Sequence, residues 1–318
     1  MNLPKLEIYK FIFRLKVVDS LNVPEYKGAM IRGAFGYAFK KVTCITRMKE
    51  CEPCMLKDTC SYFKIFETEK PDNNIFYLRG VKKIPHPFVL QPPPDSRRVY
   101  RQNEDMDVGV TLFGTGINYF PYFVYTFIKM GEFGLGKGRG HFELKDVFSV
   151  GQSGRKTRIY DSKSGKIKSG YKPLNLEKLI SGFPASPQKT TLEFHTPFRY
   201  QSENKVVWNP ELLDINRVLR NIEKRIFSLA VLYGDSQIKD PGKTEYPDIK
   251  IVENSLTYKD WERYSTRQKK RFSLGGFTGK LTLGGDLSSV MPMLILGSVV
   301  SIGKNTLFGL GAYTLKAE

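Results

Sequence analysis

The chain has 318 residues, about two domains at roughly 150 residues each, and carries 50 Lys and Arg against 32 Asp and Glu, a formal charge of +18. An aromatic content of 13% and only four cysteines exclude a disordered chain, a collagen-like repeat and a disulfide scaffold. No apolar run reaches the roughly 18–20 residues of a membrane span, and residues 1–10 lack the plan of a signal peptide, so the expected location is the cytoplasm. Charge of this size speaks about partners: nucleic acid, anionic lipid or an acidic protein surface. In residues 263–272 Arg and Lys are interleaved with Tyr and Phe. That mixture suits phosphate neutralisation with base stacking, whereas a lipid-binding helix needs a broad apolar face. The plainer reading is a well-solvated basic surface.

Residues 6–18, rich in Ile, Phe, Tyr and Val, read as a strand. A stripe of Ile31, Ala34, Phe35, Ala38, Phe39 and Val42 predicts a helix. Its other face carries Arg32, Gly33, Gly36, Tyr37, Lys40 and Lys41. Two helical glycines cost about 1 kcal/mol each against Ala, which a closely approaching group or a packed neighbouring strand would offset. A cysteine-rich loop follows, then an extended, Pro-rich stretch at 85–94. Residues 106–113 read as a strand, 119–130 as a buried helix, and 141–150 as a strand after the run Gly134-Leu135-Gly136-Lys137-Gly138-Arg139-Gly140. Residues 151–187, dense in Gly, Ser, Lys and Pro, read as a linker or mobile loop.

The second half repeats the plan. Residues 190–200 read as a strand. Residues 210–233 read as a long helix opened by Pro210, with Leu212, Ile215, Leu219, Ile222, Ile226 and Leu229 on one face. Strands are expected at 249–258, 279–283 and 312–316, and a short apolar helix at 287–296. Phe133-Gly134-Leu135-Gly136 recurs as Phe308-Gly309-Leu310-Gly311, each time between a helix and a last strand. The order β-α-β-β-α-β is that of a ferredoxin-like unit. The expected fold is therefore α+β, two tandem ferredoxin-like domains. The first is 1–150 with a Cys-rich insertion at 44–60, then a linker at 151–187. The second is 188–318 with a glycine-rich loop at 303–311.

Glycine reaches positive φ and leaves backbone N–H groups accessible to phosphate. Lys137 and Arg139 alternate with glycines in the first loop. In the second, Gly303, Lys304, Asn305, Thr306 and Gly309 are all possible donors. The alternative is a tight turn with incidental lysines. Neither loop has P-loop or dinucleotide-fingerprint spacing. Cys44, Cys51, Cys54 and Cys60 fall in one stretch, C-x6-C-x2-C-x5-C. In a cytoplasmic chain this reads as metal before disulfide. Structural zinc is expected ahead of an iron–sulfur cluster, with two disulfides or four reduced thiols as the remaining alternatives.

Four blocks carry a family resemblance. They are residues 31–38; Cys51-Glu52-Pro53-Cys54 through Cys60-Ser61-Tyr62 to Phe66-Glu67; residues 134–140; and residues 264–268 running on to Gly303-Lys304-Asn305-Thr306 and Phe308-Gly309-Leu310-Gly311. In these the chain resembles the CRISPR-associated endoribonucleases that process precursor guide RNA. The resemblance implies CRISPR repeat RNA as partner, possible association with effector-complex proteins, and a monomer or homodimer. It also implies one metal-independent cut, in which a 2′-hydroxyl attacks its neighbouring phosphate. Such chemistry needs a base, an acid and a cation on the phosphorane. The chain has three histidines, His86, His141 and His195. The first helix has none, and Ser301 stands where closer relatives often have histidine. His141, beside the first glycine loop, reads either as reaching RNA or as a strand residue facing solvent. His86 reads as a loop residue and His195 as structural or surface. Tyr37, Lys40, His141 and Lys304 are the candidate catalytic residues. Arg32, Lys137, Arg139, Arg267, Lys269, Arg271 and Lys304 are the candidate RNA contacts. The competing function is a non-catalytic RNA-binding protein of the same fold.

Overall fold

The computed structural model describes residues 4–71, 75–79, 84–203, 205–234, 245–265 and 270–318, with the backbone alone described at 262–265 and 270–271. The first compact unit covers Leu6–Leu174 and the second most of the chain from Asn175 to Glu318.

In the first unit β1 (Ile8–Val17) buries Phe11, Phe13, Leu15 and Val17 at period two. It is followed by α1 (Gly28–Thr43), a short α2 (Ser61–Phe66), β2 (Phe88–Gln91), β3 (Asp105–Phe113), α3 (Phe120–Phe133), β4 (Phe142–Val150) and β5 (Lys156–Asp161). The sheet order is β2-β3-β1-β4-β5, every neighbour antiparallel. Phe13 lies between Val108 and Val147. The first four strands have ferredoxin-like order, with the first strand between the third and the fourth. Phe35 of α1 is fully buried, its ring 4.9 Å from Phe123, 5.4 Å from Phe127 and 5.7 Å from Phe88. Phe11 stacks on Phe120 at 4.3 Å. Aromatic side chains thus fill the space between sheet and helices.

The second unit contains α4 (Leu176–Ser181), β6 (Lys189–Phe198), α5 (Ile215–Tyr233), β7 (Ile249–Lys259), β8 (Glu262–Ser265), β9 (Lys270–Ser273), β10 (Gly276–Gly285), α6 (Met291–Val300) and β11 (Tyr313–Ala317). Its sheet runs β7-β10-β6-β11, the same order, all antiparallel. β8 and β9 form a separate hairpin. Leu192, Phe194 and Phe198 of β6 are buried, with Phe194 stacked on Phe198 at 4.8 Å. The chain is therefore α+β with two tandem ferredoxin-like units. Among the described residues no helix is long and apolar enough to cross a membrane.

Four expectations differ in detail. The Pro-rich stretch at 85–94 contains β2, because Phe88, Val89 and Leu90 fit the buried edge beside β3. Residues 151–187, read as a linker, contain β5, which pairs with β4, and α4. Their Gly, Ser and Lys density conceals a strand whose first half, Lys156–Arg158, is exposed. The long helix begins at Ile215 rather than at Pro210, because the Asp214 carboxylate accepts from the Arg217 N–H and caps it there. Leu212 sits in the preceding 3-10 turn and is exposed, while Leu213 is buried instead. The last helix runs from Met291 to Val300 because Pro292 occupies its first turn, the one place where a missing N–H costs nothing.

Candidate functional site

The first glycine loop is a tight hairpin between α3 and β4. The Leu135 N–H donates to the Gly140 carbonyl at 2.8 Å, and that of Lys137 donates to the Asn22 carbonyl at 2.8 Å. A side chain at Gly136 would overlap the Asn22 carbonyl, and Gly136 has φ +78°. The glycines thus let the segment after β1 lie against the loop. Leu135, Lys137 and Arg139 commit their N–H groups to carbonyls, so these three do not cradle phosphate. What reaches solvent is the set of side chains on Lys137, Arg139 and His141. Arg139 itself has φ +53°, and nothing lies within 4 Å of where a side chain at Gly138 would start.

His141 is tied to an acid that sequence reading missed. Its Nδ1 lies 2.6 Å from Asp19 Oδ2, and its N–H points to the same oxygen at 3.4 Å. A carboxylate only accepts, so Nδ1 carries the proton and the other ring nitrogen is left as the base in the neutral ring. The hydrogen bond from His141 holds the Asp19 carboxyl below the usual carboxylate range. The two residues are 122 positions apart, and nothing in the short segment after β1 marks Asp19 as a partner.

On α1, Tyr37 is 58% exposed and its ring meets Phe133, at the near foot of the hairpin, edge-on at 5.7 Å. The cation over its ring is Lys41, at 5.7 Å. Lys40 turns elsewhere: its Nζ donates to the Lys49 carbonyl at 3.0 Å and lies 5.4 Å from the Tyr62 ring centre. The structure thus joins Tyr37 to Lys41 and separates it from Lys40. Arg32 folds back along its own helix, its guanidinium 5.2 Å from the Phe66 ring. Gly36 makes room for it, since a side chain there would start 3.2 Å from Arg32 Nη1. The close approach expected at the helical glycines is therefore made at Gly36 by a side chain, while Gly33 has nothing within 4 Å.

In the second loop, Ile302 N–H donates to the Gly311 carbonyl, Lys304 N–H to Arg199 O at 3.0 Å, and Gly309 N–H to Thr306 O at 2.8 Å. Two of the five expected phosphate donors are thus already committed, and Thr306 is buried. Lys304 and Asn305 project into solvent. Arg199, unforeseen from sequence, supports this turn while its own Nη1 donates to the Gly275 carbonyl at 2.7 Å. Ser301 is 1% exposed with φ +58°, and among the described residues its hydroxyl has no partner. Of the basic cluster, Arg267 and Lys269 lie outside the described residues, and Arg271 is placed by its backbone opposite Tyr264. His86 Nδ1 lies 3.0 Å from the Ile65 carbonyl, and His195 Nε2 lies 2.9 Å from Thr314 Oγ1 across the sheet.

The four cysteines are half-buried and unpaired, and all four line one hollow of about 300 Å³ beside the ends of α1 and α2. Among the described residues no three side chains of His, Cys, Asp or Glu stand close enough to hold a single ion.

Residues 192–313, which hold most of the second unit and its glycine loop, match the family model described as CRISPR-associated endoribonuclease Cas6. That stretch is similar to the endoribonuclease domain of this family. Residues 6–171 match a second model, the AF_1859 N-terminal domain. An uncharacterized protein of Archaeoglobus fulgidus is 22% identical over 299 residues, 93% of each chain. A Cas6 product complex is similar at TM-score 0.54 and 15% identity, covering 97% of this chain and all of the other. A chain of a partial Cas6-RT-Cas1–Cas2 complex is similar at TM-score 0.57 and 14% identity. It is matched along all of this chain, which spans 47% of its length. At these identities the structural likeness concerns the fold.

Proposed function

We propose that the chain processes CRISPR precursor RNA by one metal-independent cut within the repeat. The observation that carries this reading is the Asp19–His141 pair at the foot of a solvent-facing hairpin bearing Lys137 and Arg139, in a chain whose residues 192–313 match the Cas6 endoribonuclease family. Asp19 orients the imidazole as a carboxylate does in a catalytic triad. The free ring nitrogen takes the proton of a ribose 2′-hydroxyl. The 2′-oxygen then bonds to phosphorus, the bond to the 5′-oxygen breaks, and that oxygen takes up a proton. The products are a 2′,3′-cyclic phosphate and a 5′-hydroxyl. Lys137 and Arg139 neutralise the charge that builds on the phosphorane. Tyr37 binds beside the foot of the hairpin, and Lys304 and Arg271 bind backbone phosphates. Lys40, engaged by the Lys49 carbonyl, has a positioning role. CRISPR proteins are further partners on this reading, in line with the likeness to a chain of the Cas6-RT-Cas1–Cas2 complex.

A second reading, a non-catalytic holder of repeat or guide RNA, is favoured by Ser301. Its side chain is buried and carries no group that titrates near neutrality. Labelled repeat RNA incubated with the protein in EDTA separates the two. One cut with a cyclic-phosphate end, lost in His141→Ala while binding persists, is the expected result. Tight binding without any cut establishes the second reading.

A further inference from the structure

We propose, resting on the RNA partner common to both functional readings, that the hairpin at residues 155–168 is a further RNA contact, gripping phosphates of the strand that runs on from His141. Residues 151–172 hold seven Lys and Arg against one acid, Asp161, a third of the formal charge of +18. They are ordered as an edge hairpin. β5 pairs with β4, and the chain then turns back so that Ile167 bridges Tyr160 and the Lys168 N–H donates to the Ile159 carbonyl at 2.7 Å. The turn closes through the Gly165 N–H on the Asp161 carbonyl at 3.1 Å.

The cations of this hairpin are exposed and unneutralised. The Asp161 carboxylate accepts from the Lys163 backbone N–H at 3.0 Å, so the one local acid serves the turn and no lysine side chain. Arg158 lies 3.5 Å from Asp146 Oδ1. Among the described residues, the side chains of Arg155, Lys156, Lys163, Lys166 and Lys168 have no acidic partner, and all five are exposed. Like charges this close along a strand pair repel and cost stability, which a bound polyanion offsets. The apolar residues of the hairpin, Ile159 and Tyr160, are buried, and among the described residues 151–172 no large apolar side chain is exposed. Nothing there can enter a bilayer, whereas a phosphate backbone needs only the cations.

The hairpin also points the right way. The Ser162 N–H donates to the Lys145 carbonyl at 2.9 Å, so the turn lies at the end of the sheet where β4 begins, directly after His141. Four residues of extended strand separate His141 from Lys145, about 13 Å. An RNA strand with one phosphate at His141 therefore has Lys163 and Lys166 on its onward path.

The test measures binding of labelled repeat RNA to the full chain by fluorescence anisotropy across a salt series. Joint replacement Lys163→Ala, Lys166→Ala and Lys168→Ala should weaken binding and lower the slope of log affinity against log salt by about 2, at roughly 0.7 per contact on a single strand. Lys→Arg at the same three positions keeps the charge and should bind as wild type. Wild-type affinity and slope in the alanine variant would overturn the contact and leave the proposed function standing. Equal losses in the alanine and arginine variants would overturn it in favour of a structural role. Loss of binding to phosphatidylserine vesicles with RNA binding unchanged would replace RNA by lipid. A wild-type chain that binds no repeat RNA would sink the contact and the proposed function together.

Discussion

The two glycine loops share one plan and differ in what they show to solvent. Each follows a helix, closes with one backbone bond (Leu135 to Gly140, Ile302 to Gly311), and lies against the segment after its unit's first strand. The first is short, with Lys137 and Arg139 exposed on the loop and His141 exposed at its foot. The second encloses Thr306, Leu307 and Leu310 as buried packing and presents Lys304 and Asn305. The same tetrapeptide thus serves two ends. In one loop glycine permits an exposed cationic hairpin, and in the other it permits a small buried core. The lesson is that glycine-rich sequence marks close backbone packing first, and a binding surface only where charged side chains alternate with it.

Breaking the packing role gives the largest expected effect. A side chain at Gly311 would overlap the Ile302 carbonyl, at φ +74°. Gly311→Ala should destabilise the second unit by more than about 3 kcal/mol, read as an early transition in urea unfolding. Gly138→Ala in the first loop meets only its own φ of +87° and should cost about 1–2 kcal/mol. Equal losses from the two would dissolve the distinction between the loops.

The chemical role comes next. His141→Ala should lower the cleavage rate by about 10²–10⁴-fold while changing RNA affinity only a few-fold, measured by single-turnover kinetics and filter binding. A parallel fall in affinity and rate would assign His141 to binding alone. Lys137→Ala with Arg139→Ala should reduce the slope of log affinity against log salt by about 1–2, and Lys304→Ala by up to about 1. A larger change from Lys304 would reverse the ranking of the loops.

Asp19→Asn should give the smallest effect and the most diagnostic one. The hydrogen bond from His141 lowers the Asp19 pKa in the folded chain. The pair therefore stabilises the fold above the unfolded carboxyl's pKa, and this stability is lost as pH falls through the lower folded value. Asp19→Asn should flatten that acid limb in pH-dependent thermal unfolding and displace the pH–rate profile of cleavage. An unmoved rate profile with an altered acid limb would make the pair structural.

The repeated β-α-β-β-α-β order was legible because each core strand and helix has its own period, as in Phe11, Phe13 and Leu15 or in Ile31, Phe35 and Phe39. The limits of α5 and α6 were not. They depend on one cap, Asp214, and on where Pro292 falls, both finer than a periodic signal. β5 escaped notice because three of its six residues face solvent and carry loop-like composition. At the candidate site the glycine loops could be read, but their direction of use could not. Lys40 and Tyr37, three positions apart, turn to different neighbours, and Asp19 meets His141 only through the fold.

β5 also changes what the border of the first sheet offers to another strand. Without it, the outer side of β4 from Asp146 to Val150 would present unpaired N–H and C=O groups, a template for any passing strand. With it, the border along Asp146–Val150 is a short strand whose exposed half carries Lys156 and Arg158. Charges of one sign at this border disfavour the addition of another basic strand.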